Sequence, residues 1–177
     1  MAMASAWHSH LRLAMNTRLT HSVLGGAAGA ATLTLAHEVL RRLDPRAPRL
    51  DKLGMIGLAS LLRASGSKPP RGDRLQGYAL IGDLLANTLY YASVGAGRRV
   101  SITRGGLIGL AAGMGAVFLT PVVGLPKRHR GRGRIGQLLT IGLYALGGLA
   151  AAAMARALGP EQTHLVRTAT SERFVEA

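Results

Sequence analysis

Two groups of residues in this chain have the types and spacing for chemistry, and both lie in stretches that are otherwise apolar. The first is Asp83 with Asn87, inside YALIGDLLANTLYY at residues 78–91. An acid at the centre of a spanning helix costs roughly 2.5–3.5 kcal/mol on insertion scales, so it must be neutralised, paired or hydrated. On a helix Asp83 and Asn87 stand at i and i+4, with Tyr90 and Tyr91 at i+7 and i+8. One side of an apolar cylinder then carries a polar stripe, which must face protein or water. Its two functional readings are a proton or ion carrier and a hydrogen-bonded helix fastener. The second group is His37-Glu38, near the end of SVLGGAAGAATLTLAHEVL at residues 22–40. An imidazole beside a carboxylate at the membrane edge suits a proton relay or a nitrogen/oxygen metal site. The simpler structural reading pairs Glu38 with Arg42, one turn on, where the helix emerges.

The remaining chemistry is defined by what is missing. There is no Gly-x-Ser-x-Gly elbow, no His-Glu-x-x-His and no dinucleotide fingerprint between a strand and a helix. The glycines at 105, 109 and 113 are not followed in register by the Lys-Ser or Lys-Thr of a phosphate loop. With no cysteine, disulfides and thiolate metal sites are excluded, and the six histidines are scattered. No catalytic residues and no metal site are therefore expected, and an enzyme is the weakest of the function classes. Ligation of a pigment or haem by His37 is also disfavoured, because antenna polypeptides place Ala four residues before the ligating His and Leu33 stands there. Bound lipid is the one non-protein companion expected.

The elements that must hold these residues follow from composition. Of 177 residues 48% are hydrophobic but only 4% aromatic, and 24 are Gly, so the apolar content is Ala, Leu and Gly. That composition fits helices whose backbones approach closely in a bilayer. A net charge of +14 in a soluble domain would point to nucleic acid. Here Lys and Arg are sparse inside the apolar runs and dense between them, the pattern of membrane-flanking loops, so anionic lipid rather than nucleic acid is the expected partner.

Four spans are expected, at about 22–40, 75–96, 102–125 and 135–155, with a short interfacial amphipathic helix at about 50–64 built on Leu50, Leu53, Leu58 and Leu61. The fold class is thus all-α, an integral membrane bundle over residues 22–157. It is preceded by a segment, 1–21, with the Trp and Arg content of a surface helix, and followed by a polar tail, 158–177. Asp73 and Gln76 have the spacing of a capping box for the second span. Small residues recur every four positions at Gly25 and Gly29, at Gly105, Gly109 and Gly113, and at Gly147, Ala151 and Ala155. Each such ridge is a surface for another helix, here expected to belong to partner chains. LGGAAGAATLTLA near Leu24 and LGGLAAAAMARAL near Leu146 look alike, as an internal repeat or as shared low complexity.

Arg41 and Arg42 after the first span, and Lys127, Arg128 and Arg130 after the third, are the expected lipid-headgroup contacts. Counted by side, the first and third loops carry more Lys and Arg than the other segments, so the positive-inside rule puts both termini outside. The run HEVLRRLDPRAPRLDKLGM with GDLLANTLYY resembles small bacterial four-helix membrane proteins of no assigned activity. The resemblance covers roughly the first two spans and implies only architecture; the location expected is the bacterial cytoplasmic (inner) membrane. Two functions are expected ahead of any enzyme: a non-catalytic subunit docking through its glycine ridges into a larger membrane complex, such as a respiratory or photosynthetic one, and a small ion, proton or solute transporter using Asp83 and Asn87.

Overall fold

The computed structural model describes residues 2–44, 47–96, 100–122 and 133–159; side chains are described within these from residue 17 and, in the third segment, up to residue 119. Among the described residues it is all-helical, with five helices: α1 (Ala2–Leu43), α2 (Leu50–Ala64), α3 (Asp73–Gly95), α4 (Ile102–Val122) and α5 (Gly133–Leu158). Three of them are long and apolar enough to cross a membrane: α1 over Thr17–Leu43, α4 over Ile102–Leu119 and α5 over Gly133–Leu158. That is consistent with a membrane protein. With 23 residues, α3 is long enough too, about 35 Å at 1.5 Å per residue, but it is not among these three. Asp83, Asn87 and the tyrosines lower its hydropathy.

Helix α1 begins well before the expected span. It runs unbroken for 42 residues, about 63 Å, twice the roughly 30 Å of a hydrocarbon core. The chemical reason is that no Gly or Pro interrupts the sequence before Gly25. It stops where Asp44 donates its backbone N–H to the Leu40 carbonyl at 2.9 Å and the chain turns through a fully buried Pro48. Helix α2 has the expected bounds. The capping box of α3 does not form: Gly72, at φ +58°, is the N-cap, and no side chain caps the helix. Asp73 is itself the first helical residue, one position too late for its carboxylate to act as the N-cap.

Helix α5 is the centre of the bundle, packing on α1, α3 and α4, while α3 also packs along α1. The buried cluster is Leu33 of α1, Tyr91 and Val94 of α3, and Leu143, Ala151 and Ala152 of α5. Helix α2 leans on α3, and α3 and α4 touch only lightly.

The glycine ridges set these distances. A Cβ on Gly25 would come within 2.9 Å of the Ala151 carbonyl oxygen, and one on Gly29 within 2.6 Å of that of Gly147. Along the α4–α5 seam, Gly105 lies against the Gly148 carbonyl, Gly109 against the Tyr144 carbonyl, and Gly113 would bring a Cβ 2.6 Å from the Ile141 Cα. Gly147 is covered by the Tyr91 ring, its hydroxyl 2.7 Å from a built Cβ. Backbone atoms cannot retreat as a side chain can, so only glycine fits these positions without moving a helix. Where partner helices were expected, these ridges meet helices of the same chain. The two look-alike segments near Leu24 and Leu146 face each other across the α1–α5 crossing, each supplying small residues to it.

Candidate functional site

A cavity of about 310 Å³ opens between α1, α2 and α3, with Tyr144 of α5 also lining it. Its apolar wall comes from Leu33, Leu35, Leu50, Ala79 and Leu80, and its polar groups are Thr34, His37, Glu38, Arg41, Asp51, Gln76 and Asp83. Helical geometry makes this grouping. Thr34, His37, Glu38 and Arg41 are spaced three, one and three apart, a single stripe of α1, while Gln76, Ala79, Leu80 and Asp83 form the matching stripe of α3. Helix α2 crosses their end and contributes Leu50, Asp51 and Gly54.

Each polar group has a definite state. His37 is buried and its Nε2 lies 2.8 Å from the Pro48 carbonyl oxygen. A carbonyl only accepts, so Nε2 carries the hydrogen and Nδ1 is left as an acceptor in the neutral ring. This bond ties the turn before α2 to α1. Glu38 is fully engaged: Arg41 donates to it through Nε at 2.9 Å and through an Nη at 2.8 Å, and Arg42 through Nε at 2.8 Å. The expected i,i+4 pair is present, with Arg41 added as a two-pronged donor.

Asp51 and Asp83 form no ion pair among the described residues. Asp83 faces the cavity on α3, opposite His37. Two side-chain oxygens, Asp51 Oδ1 and Thr34 Oγ1, are buried with no hydrogen-bond partner. Such atoms are uncommon in folded proteins, and each calls for an explanation. Among the described residues no group of three His, Cys, Asp or Glu could hold a metal ion.

The stripe read from α3 divides. Asp83 lines the cavity, but Asn87, Tyr90 and Tyr91 do not. Asn87 is buried and donates through Nδ2 to the Asp83 carbonyl at 2.9 Å, one turn back along α3. Tyr91 is fully buried and donates its hydroxyl to the Tyr144 carbonyl of α5 at 2.8 Å. Tyr90 reaches the other way, to the Ile108 carbonyl of α4 at 3.0 Å. The two rings stand edge to face, 5.7 Å apart. These tyrosines join α3 to both of the helices after it, a fastening role.

Of the expected headgroup contacts, Arg41 and Arg42 are held by Glu38, Arg42 being largely exposed, while Lys127, Arg128 and Arg130 lie outside the described residues. Asp51, Thr34, Gln76 and Tyr144 were not apparent as site residues from sequence. The available signal for Asp51 was its place in the first turn of an amphipathic helix, where an acid ordinarily complements the helix dipole. No family model, curated protein or solved structure matches this chain.

Proposed function

We infer that the chain is a four-span bacterial inner-membrane protein that carries an ion or small solute through the cavity beside Asp83, and that it is not an enzyme. The observation that supports this reading most is the cavity itself, in which an acid of α3 with no cationic partner faces a buried histidine of α1. Ionisable groups at membrane depth mark substrate and proton pathways as a rule. In this reading α3 is the fourth span. It crosses with Asn87 and Tyr91 buried in the bundle, Asp83 exposed where the cavity opens, and Ile81, Leu85 and Leu89 turned toward lipid. The loops at the α2 end of the bundle carry the excess of Lys and Arg, so that end faces the cytoplasm and both termini lie outside.

A subunit role in a larger membrane assembly is the second reading. Its support is the exposed apolar face of α4, Leu107, Met114 and Phe118, which a partner helix would cover as well as lipid does. The glycine ridges no longer favour it, since the chain's own helices occupy them.

The test is flux in vesicles reconstituted with the purified protein, read with an entrapped pH dye after a potassium diffusion potential is imposed. Native protein is expected to let protons follow the imposed potential and so change the internal pH, and Asp83→Asn to slow that change. Equal flux in the two would remove Asp83 from the mechanism. Absence of flux, together with co-purification of stoichiometric partner chains in mild detergent, would favour the subunit reading.

A further inference from the structure

Arg41 and Arg42, the headgroup contacts expected from sequence, are taken up by Glu38, but four free cations follow further along the chain. Arg63 in the last turn of α2, Lys68 and Arg71 in the connection to α3, and Arg74 in the first turn of α3 are all exposed. None of the four makes an ion pair or a side-chain hydrogen bond among the described residues. One acid, Asp73, stands among them, in the first turn of α3, where it complements the helix dipole. The connection is held in shape. Ser65 and Ser67 donate their backbone N–H groups to the Leu61 and Leu62 carbonyls at 3.0 and 2.8 Å, Gly66 sits at φ +78°, and Pro69 and Pro70 fix two more φ angles. A charge run alone is ordinarily a solvated loop, so the partner has to be read from what lies beside it.

Beside it is an apolar side chain in the open. Leu61 is 68% exposed, and Leu58 and Leu62 next to it are only half-buried. The course of α2 explains why. It starts where Pro48 accepts from His37, six residues and thus about 9 Å before the end of α1, so its first residues lie at the depth of the cavity. Its last turn then leaves the bundle, with Ser60, Leu61, Arg63 and Ala64 all exposed, close to where α3 begins. A soluble polyanion would meet the cations and leave Leu61 in water. A bilayer satisfies both, because the leucine can enter the acyl boundary while Lys and Arg reach the phosphates. We propose that the last turn of α2 and its connection to α3 form a binding surface for anionic phospholipid, with Leu61 inserted and Arg63, Lys68, Arg71 and Arg74 on the headgroups. This rests on the reading of α1, α3, α4 and α5 as spans, and not on transport through the cavity.

The experiment uses the full chain reconstituted in vesicles, its single tryptophan removed by Trp7→Phe and an indole introduced by Leu61→Trp. Bromine on lipid acyl chains quenches an indole in contact with them. In mixtures of phosphatidylglycerol and phosphatidylcholine it is placed on the first lipid in one set of vesicles and on the second in another. The indole is expected to be quenched more by the anionic lipid, with a relative affinity of at least about fivefold, the worth of one Lys or Arg at an anionic surface. Arg63→Gln, Lys68→Gln, Arg71→Gln and Arg74→Gln together should bring the ratio to about one. Raising the salt from about 0.1 M to about 1 M shortens the screening length from about 10 Å to about 3 Å, and should lower the ratio with all four cations in place, which decides the matter if the fourfold variant is misfolded. Leu85→Trp, at an exposed position in the middle of α3, checks the span and should be quenched equally by both lipids. Equal quenching of the Leu61→Trp indole by the two lipids, or none by either while Leu85→Trp is quenched, would overturn the lipid surface and leave the spans standing. A preference for the anionic lipid that survives both high salt and the fourfold variant would overturn the role of the cations. No quenching at Leu85→Trp would overturn the fourth span and the proposal with it.

Discussion

Substituting Gly29 by Ala tests the account of how the bundle is held together. The added Cβ would lie 2.6 Å from the Gly147 carbonyl oxygen, 2.9 Å from the Ala151 Cβ and 3.1 Å from Cδ2 of Tyr91. Reaching the 3.4 Å of ordinary contact with the carbonyl needs a shift of about 0.8 Å between α1 and α5. The same separation moves α5 relative to Tyr91, whose Cδ2 must itself give by about 0.3 Å, and so strains its 2.8 Å bond to the Tyr144 carbonyl. Overpacking of this kind costs about 1–3 kcal/mol, and an interhelical hydrogen bond in a membrane about 0.6 kcal/mol. Alanine's better helix propensity returns up to about 1 kcal/mol. The net is a loss of about 1–3 kcal/mol, a fall in midpoint of roughly 3–10 °C for a chain of this size. The assay is thermal unfolding in detergent followed by far-UV circular dichroism, with Gly115→Ala and Gly142→Ala as controls. At both control positions a Cβ meets nothing within 4 Å, so those variants should match or exceed the parent. If Gly29→Ala unfolds with the controls, the close approach of α1 to α5 is not what holds the bundle.

Removing the Tyr91 hydroxyl by Tyr91→Phe should lower stability by about 0.6 kcal/mol, and by no more than about 1.7, because the ring and its packing remain; the same unfolding assay reads it. His37→Ala removes the anchor at Pro48, so hydrogen exchange across residues 47–53 should accelerate while the α1–α5 crossing stays protected. An unchanged exchange rate in that turn would mean that α2 is held by its contact with α3 alone.

The helices themselves were legible in the sequence. Leucines at helical spacing between Pro48 and the Ser65-Gly66 turn gave α2 its bounds, and Pro121 lies one residue from the end of α4. The start of α1 was not legible, because the polar residues around Trp7 signal a surface while nothing in them stops a helix. Glycine spacing located the crossings but not the partners: a ridge specifies how closely a helix comes, not which helix comes. Asp83 was found because an acid in an apolar run is conspicuous. Its setting was hidden, since Asp51 and Thr34 reach the same cavity from two other helices and neither looks unusual within its own segment.

The order in which the helices find their neighbours has a consequence for biogenesis. Helix α3 can pair with α1 as soon as it is made, but α4 has its main seat on α5, which is synthesised last. At about 5–20 residues per second, the 36 residues from Val122 to Leu158 take roughly two to seven seconds. For that interval the groove at Gly105, Gly109 and Gly113 lacks the helix that fills it. An insertase or chaperone able to shield a small-residue groove would act on this chain then, and a ribosome stalled between α4 and α5 would leave a nascent chain with its most adhesive surface exposed.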